Sequence, residues 1–359
     1  MRQTMLLDQH KACGAKLVDF HGWLLPLQYK GILQEHNHTR TKCSVFDCSH
    51  MGQFLIKTRK AIATFDQLVF SDMVGLPPGR GRYSSILNEY AGIIDDIVAF
   101  RLSRDELFVV TNAGPLDRVA QTIQSYVPKA VDLSEQTSKI DVQGPESFEV
   151  LSRMGFEELA PLRFFGCLQT TWRGRKIIVA RAGYTGELGY EFYVPHALAA
   201  ALWEALLEQK SVKPAGLGAR DTLRLEMGYT LYGQDVDEST TTLEAAMGRF
   251  IYWGRGFIGR DALCVRQQMH DYKVRAGIRA EGRRAPRAKQ EVYRDDEPVG
   301  VVTSGTYGPS VGCGIGMAYV PKDLAEPGVQ LAVGPKRVRV ETAAFPFYKR
   351  GTFRMNTSQ

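Results

Sequence analysis

The chain has 359 residues, 44% hydrophobic and 23% charged, with a formal net charge of +6. That length can bury a sizeable core in two or three domains, and the composition is that of an ordinary soluble globular protein. No apolar run approaches the ~20 residues of a membrane span, and no Lys/Arg run has the density of a nucleic-acid-binding arm.

The opening residues, MRQTMLLDQHKACGAKLVDF, carry neither a long apolar h-region nor an Arg- and Ser-rich transit pattern, so a cytoplasmic protein is expected. His36-Asn37-His38 has no further His or Cys cluster nearby, and a loop or strand would splay the pair, so no metal is expected. The six cysteines (Cys13, Cys43, Cys48, Cys167, Cys264, Cys313) contain no CxxC pair and read as reduced, mostly buried thiols. The mild positive excess suits an anionic substrate or an acidic partner. Its densest clusters, Arg283-Arg284 with Arg287 and Lys336-Arg337 with Arg339, read as solvated faces.

Asn88 to Phe100 (NEYAGIIDDIVAF) reads as a turn and a strand with two adjacent carboxylates. Strand side chains alternate, so Asp95 shares a face with Ile93 and Ile97, and Asp96 with Ile94 and Val98. If one face is packed and the other wet, one aspartate is exposed and its twin looks inward. An inward carboxylate is costly unless it is paired or held in a site. Alternation does not choose between them.

Glu106 to Thr111 predicts a strand ending at Asn112, and Leu116, Val119, Ala120, Ile123 and Val127 predict a helix closed by Pro128. Lys176 to Ala182 and Tyr190 to Val194 predict strands around the glycine-rich turn GYTGELG. Ala197 to Leu207 predicts a helix, and GLGARDTLRLEMG (216–228) a glycine-led loop opening into another. From about Tyr272, short strands and Gly/Pro turns take over and read as a separate all-β domain. The last residues, RMNTSQ, are expected to fray. The class is therefore α+β with antiparallel sheet, divided into residues 1–271 and 272–359.

Neither a phosphate-cradling glycine loop nor a GxSxG nucleophile elbow occurs. Polar residues do gather at the ends of apolar elements: the Asp95-Asp96 pair, Asn112, Tyr184, Glu191 and Arg220-Asp221. Singly, each has a structural explanation: Asn112 as a helix N-cap, Glu191 as a solvent-facing strand residue, Arg220-Asp221 as a first-turn ion pair, Tyr184 as a turn tyrosine. Together they outline a polar pocket whose ligand spacing does not name.

The motifs VDFHGWLLPLQY (18–29), VFDCSHMG (45–52), YSSILNEYAGIIDD (83–96), VVTNA (109–113), VQGP (142–145), GYTGELGYE (183–191), GLGARDTLRLEMG (216–228), LYGQDVDE (231–238), FIGRDAL (257–263) and VVTSGTYGPSVG (301–312), in that order, resemble the tetrahydrofolate-dependent aminomethyltransferase (T-protein) family of the glycine cleavage system. The resemblance covers nearly the whole chain. It implies a three-lobed cloverleaf, with two intertwined N-terminal α+β lobes, one of them ferredoxin-like, and a C-terminal β-barrel of jelly-roll type. It also implies transfer of the one-carbon unit from the aminomethyl-lipoyl arm of the carrier H-protein to tetrahydrofolate, with release of ammonia. The family's catalytic aspartate falls on Asp96, which leaves Asp95 as an exposed or capping carboxylate whose replacement should be milder than that of Asp96. Glu191 matches the pterin-binding glutamate, and Tyr83, Asn112, Tyr184 and Tyr229 match positions lining the folate. Arg220 matches an orienting arginine, and Arg287, in the GRRAPR segment, a further site arginine.

The chain departs from the family pattern at Ala91-Gly92 (usually Gly-Gly), Thr242 (usually Pro), Gly308 (commonly Ser) and the unusual segment RFIYWGRG (249–256). These bear on channel shape and partner docking. The same fold serves related folate-dependent methyltransferases and demethylases, and non-catalytic folate-binding accessory proteins of iron–sulfur cluster maintenance. The cysteine of the accessory branch's KGCYxGQE-like motif is absent from YTLYGQDVDE here.

Overall fold

The computed structural model describes residues 1–269 and 271–357. An eleven-stranded sheet runs in the spatial order Val212–Pro214, Cys43–Asp47, Thr137–Gln143, Gly189–Pro195, Arg175–Arg181, Gly166–Trp172, Arg80–Leu87, Ile93–Ser103, Glu106–Thr111, Gly52–Lys57, Val131–Asp132. Every pairing in it is antiparallel except that of Val212–Pro214 with Cys43–Asp47. It behaves as two half-sheets, since Gly166 opposite Arg80 is the one residue pair joining its sixth and seventh strands.

Each half has its own core. Val142, Phe156, Phe192, Trp203 and Leu206 pack in the first, and Phe54, Phe65, Ile97, Val109 and Ile123 in the second. The chain enters the first half at Cys43, builds the second from Gly52 to Asp132 and returns at Thr137. The two lobes are therefore intertwined in sequence.

Helical periodicity is realised where it was predicted. Leu116–Tyr126 buries Leu116, Val119 and Ile123, and His196–Leu207 buries Ala199, Leu202, Trp203 and Leu206. His36 and His38, by contrast, lie on the helix Ile32–Thr41, not on a loop or strand. Two residues apart, they point in different directions. His36 meets Thr222 and Ser310, and His38 meets the carbonyls of Cys43 and Ser211.

Lys273–Ala280, Glu291–Arg294, Glu297–Gly308, Cys313–Pro321, Gln330–Val333 and Val338–Ala343 close into a six-stranded antiparallel barrel. The helix Leu217–Met227 is wedged between barrel and sheet. Ala219 and Leu223 pack on Phe46 and Cys48, while Leu225 packs on Cys313, Ile315 and Met317. It ends at Gly228, whose left-handed φ of 69° and contact with Phe345 leave no room for a Cβ.

The tail after the barrel folds back. Arg181 holds the carbonyl of Met355, and Thr357 bonds Arg181 and the carbonyl of Ala160, so Arg354 to Thr357 are docked and not frayed. Ser358 and Gln359 lie outside the described residues. No helix among the described residues is long and apolar enough to cross a membrane.

Candidate active site

The Ile93–Ser103 strand carries the aspartate pair. Both of its faces are covered, with Ile93, Ile94, Ile97, Ala99 and Phe100 all buried. The expectation that Asp95 is exposed fails for that reason: Asp95 is 0% accessible, and Asp96 is the half-buried member of the pair.

Asn112 ties them together. The neighbouring Glu106–Thr111 strand pairs Val110 with Val98, a register that brings Asn112 opposite Asp96 just past the end of the ladder. Its backbone N–H and Nδ2 donate to Asp95 at 2.9 and 2.8 Å, and Nδ2 also meets Asp96 Oδ1 at 2.9 Å. Asn112 is thus no helix N-cap; that position belongs to Pro115. Replacement of Asp95 is expected to cost stability, because an asparagine in its place would turn an amide N–H₂ against these donors.

Burial raises the pKa of both acids. Asp95 stands well above the usual carboxylate range, through burial and then the charge of Asp96. Asp96 is pushed up to about 6 by burial, against the restraining hydrogen bonds of Tyr83 and Asn112. No lysine or arginine is ion-paired with either among the described residues. The pair forms an acidic well with no ion-paired cation among the described residues.

Tyr83, on the adjacent strand, donates to Asp96 Oδ2 at 2.9 Å, and the Thr230 side chain is near enough to temper the rise that burial and Asp96 give its pKa. The carbonyl of Thr230 accepts from Tyr184, whose ring stacks on Tyr229 at 5.7 Å. Tyr184 sits in the turn GYTGELG because Gln143 pins that turn: Gln143 donates to Ala182 O and accepts from Thr185. A Cβ at Gly183 or Gly189 would lie within 2.3 Å of the Gln143 amide, which is why both are glycine.

Arg220, in the first turn of the Leu217–Met227 helix, lies 4.9 Å over the Tyr184 ring and donates to Asp141 Oδ2 at 3.0 Å. Asp141 begins a buried row of alternating charge. Lys139 Nζ lies 2.6 Å from Asp141 Oδ1 and 3.0 Å from Glu191 Oε1, while Tyr193 donates to Glu191 Oε2 at 2.6 Å. The row is built by pairing, with Asp141 directly opposite Glu191 and Lys139 opposite Tyr193 on adjacent strands. Burial pushes the Asp141 carboxyl up, but Lys139 and Arg220 outweigh it and hold the pKa below its ordinary value.

Residues 6–255 match the family model described as the GCVT N-terminal domain, and residues 273–349 match the glycine cleavage T-protein C-terminal barrel domain. The chain belongs to the glycine cleavage T-protein family. An aminomethyltransferase of Halothermothrix orenii is 36% identical over 356 residues, covering 97% of this chain and 100% of that protein. One from Prosthecochloris aestuarii is 38% identical over 98% of this chain and 100% of its own length. The crystal structure of the glycine cleavage system aminomethyltransferase T from Bartonella henselae superposes with a TM-score of 0.92 at 31% identity, covering 98% of this chain and 99% of that one.

In this family member the structure brings Tyr83, Asp96, Asn112, Tyr184, Tyr229 and Arg220 together, with Glu191 at the far end of the charged row. Arg287 is exposed, with its backbone N–H on Gln290 Oε1. No hydrogen bond or ion pair among the described residues ties its side chain to the cluster.

Lys139 and Asp141 were missed from sequence. Their signal was the same as that of Asp95-Asp96, charged residues set into an apolar strand (SKIDVQ), and alternation would have put them on one face. Arg249 and Arg354 were missed too. Both are exposed, and their charges, after that of Arg40, work against the burial that raises the pKa of Tyr229. Arg249 lies over Phe250, which meets Tyr83 edge-on at 5.5 Å. The unusual segment RFIYWGRG therefore reaches the tyrosine that holds Asp96.

Proposed function

We propose that this chain is the aminomethyltransferase of the glycine cleavage system, passing the one-carbon unit from the aminomethyl-lipoyl arm of the H-protein to tetrahydrofolate. Ammonia leaves, and 5,10-methylenetetrahydrofolate and the dihydrolipoyl carrier remain. Residues 1–271 would form the folate-binding region, with the barrel of 272–359 behind it. The observation that carries this reading is the uncompensated pair Asp95-Asp96, open to the site only through Asp96 and held by Asn112 and Tyr83. Such a well suits a substrate that brings its own positive charge, as an aminomethyl carbon losing ammonia does.

The residues present fit tetrahydrofolate. A pterin offers a flat ring for stacking against Tyr184 and Tyr229 and an edge of N–H donors for a carboxylate. Glu191 is such an acceptor, since each oxygen uses one lone pair on Lys139 or Tyr193 and keeps another. Tetrahydrofolate supplies the two nitrogens that take the carbon. Asp96, with a pKa of about 6, can hold or release a proton near neutrality and stabilise positive charge beside it. Arg220 keeps its charge and orients Tyr184 from above. The arginines at the mouth, Arg249 and Arg354, suit the anionic tail of a folate and the surface of an acidic carrier.

The test is ammonia release from aminomethyl-loaded H-protein by the purified chain, with and without tetrahydrofolate. Release that depends on tetrahydrofolate is expected. Folate binding without turnover would instead favour the accessory-protein role. The rate should fall as pH drops through about 6, when Asp96 takes up a proton. Tyr83→Phe removes a hydrogen bond that favours the charged carboxylate, so the acidic limb of its pH–rate profile should move to higher pH.

A further inference from the structure

The strand that carries Asp96 near one end carries Arg101 near the other, about 17 Å away at ~3.3 Å per residue. There it borders a cleft of about 360 Å³ lined by Arg59, Ile62, Val74, Leu76, Pro77-Pro78, Arg101 and Arg104. The volume falls within the range of ~300–1,000 Å³ typical of small-molecule sites. None of these residues belongs to the aspartate site.

Arg101 is the unusual member. It is 6% accessible, yet no carboxylate is ion-paired with it among the described residues. Its Nε and both terminal nitrogens donate to the carbonyls of Ser103, Met73 and Arg104, at 2.9, 3.3 and 2.5 Å. A guanidinium has five N–H groups, so one on each terminal nitrogen remains. Two parallel N–H groups on one fork match a carboxylate. Burial lowers the pKa of Arg101 and the charge of Asp105 only partly offsets it, so a bound anion would relieve the remaining electrostatic cost.

The rim adds charge without cancelling it. Arg59 meets Asp105 loosely, at 3.4 Å with both side chains at least half exposed, and Arg104 has no ion pair among the described residues. Three arginines thus line the cleft against Asp105 and against Asp72 behind Gly75, and Asp72 is itself 3.7 Å from Arg82. The remaining wall is apolar, and Val74 leaves 54% of its surface uncovered.

The cleft is also preformed. Met73 N–H is held by Asp66, Gly75 N–H by Asp72, and Gly79 N–H by the carbonyl of Arg101. Pro77-Pro78 has fixed φ angles. An inorganic anion would leave the apolar wall wet, and an uncharged ligand would leave the guanidinium unpaired.

We infer that this cleft is a second binding site, for a small amphipathic anion that sets a carboxylate on Arg101 between Arg59 and Arg104 and an apolar body against Ile62, Val74, Leu76 and Pro77-Pro78. Octanoate tests it on the full chain by titration calorimetry, with 1-octanol and acetate as the ligands that lack the charge or the apolar body. Octanoate should bind more tightly than either. The double variant Arg59→Glu/Arg104→Glu changes exposed side chains, so it should fold normally and bind tetrahydrofolate as the unaltered chain does. Its affinity for octanoate should fall about tenfold or more, equivalent to ~1.4 kcal/mol. Arg101→Lys keeps the charge but loses the fork, and should also weaken binding.

Unchanged octanoate affinity in the double variant would overturn the assignment, as would 1-octanol binding as well as octanoate, or no octanoate binding at all. Because tetrahydrofolate binding is read separately, failure here is distinguishable from failure of the transferase reading.

Discussion

Asp96→Asn is expected to lower tetrahydrofolate-dependent ammonia release by about 100-fold or more, the range for loss of a positioned acid–base group. Asparagine can keep the Asn112 bond with its Oδ1 and donate its amide to the Tyr83 hydroxyl, which accepts as readily as it donates, so the protein should stay folded and at pH 8 be more stable than the unaltered chain. The sign follows from the pKa. A carboxylate whose folded value is raised, here from 3.8 to about 6, contributes stability at low pH that is lost as pH rises through about 6. At pH 8 the ionised Asp96 is a burden that asparagine removes.

Two pKa units correspond to about 3 kcal/mol at most. Because Asp96 is half open to water, about 1–2 kcal/mol is the realistic gain. At pH 4 the gain should disappear. Thermal unfolding at the two pH values, set beside the turnover assay, checks both halves. Turnover like that of the unaltered chain would remove Asp96 from the chemistry, and unfolding of the variant would show its carboxylate to be structural.

Lys139→Met is expected to cost about 3–5 kcal/mol, the range for breaking a buried ion pair from one side. Methionine fills much of the same space, so the loss is mainly electrostatic. Asp141 would keep only Arg220 as a cation, and Glu191 only the Tyr193 hydroxyl. The pH dependence has the opposite sense to that of Asp96. The folded pKa of Asp141 lies below its ordinary value, so its contribution is present above the unfolded value of about 3.9 and lost as pH falls through the folded one.

The urea midpoint of the variant should therefore drop sharply at pH 7, and the gap should narrow towards pH 3. Tetrahydrofolate affinity should fall as well, because Glu191 loses the donor that fixes its Oε1. A midpoint unchanged at pH 7 would show that the charged row contributes nothing to the fold.

Much of the architecture was legible beforehand because its cause is local. Periodicity marked the helices Leu116–Tyr126 and His196–Leu207, whose apolar residues recur along one face. The turn to short strands after Tyr272 marked the barrel, and the glycines around Tyr184 marked a tight turn. Asn112, Tyr184 and Arg220 stood out as polar residues at the ends of apolar elements, Tyr83 and Tyr229 were reached through the family resemblance, and the structure brings the five together near Asp96.

That Arg287 stands apart from the cluster, while Arg249 and Arg354 come nearer to it, has a plain reason. Arg287 lies on a loop, Arg249 in the single 3-10 turn Gly248–Phe250 and Arg354 in the tail, where no repeat constrains direction and only the folded path decides what each arginine meets. The aspartates show the same division more sharply. From residues 88–100 alone, the sequence determined that Asp95 and Asp96 lie on opposite faces of one strand. Only the tertiary structure decided that Asp95 is sealed in and Asp96 faces the site. Alternation records which side chains share a face, whereas exposure depends on what distant segments lay over that face.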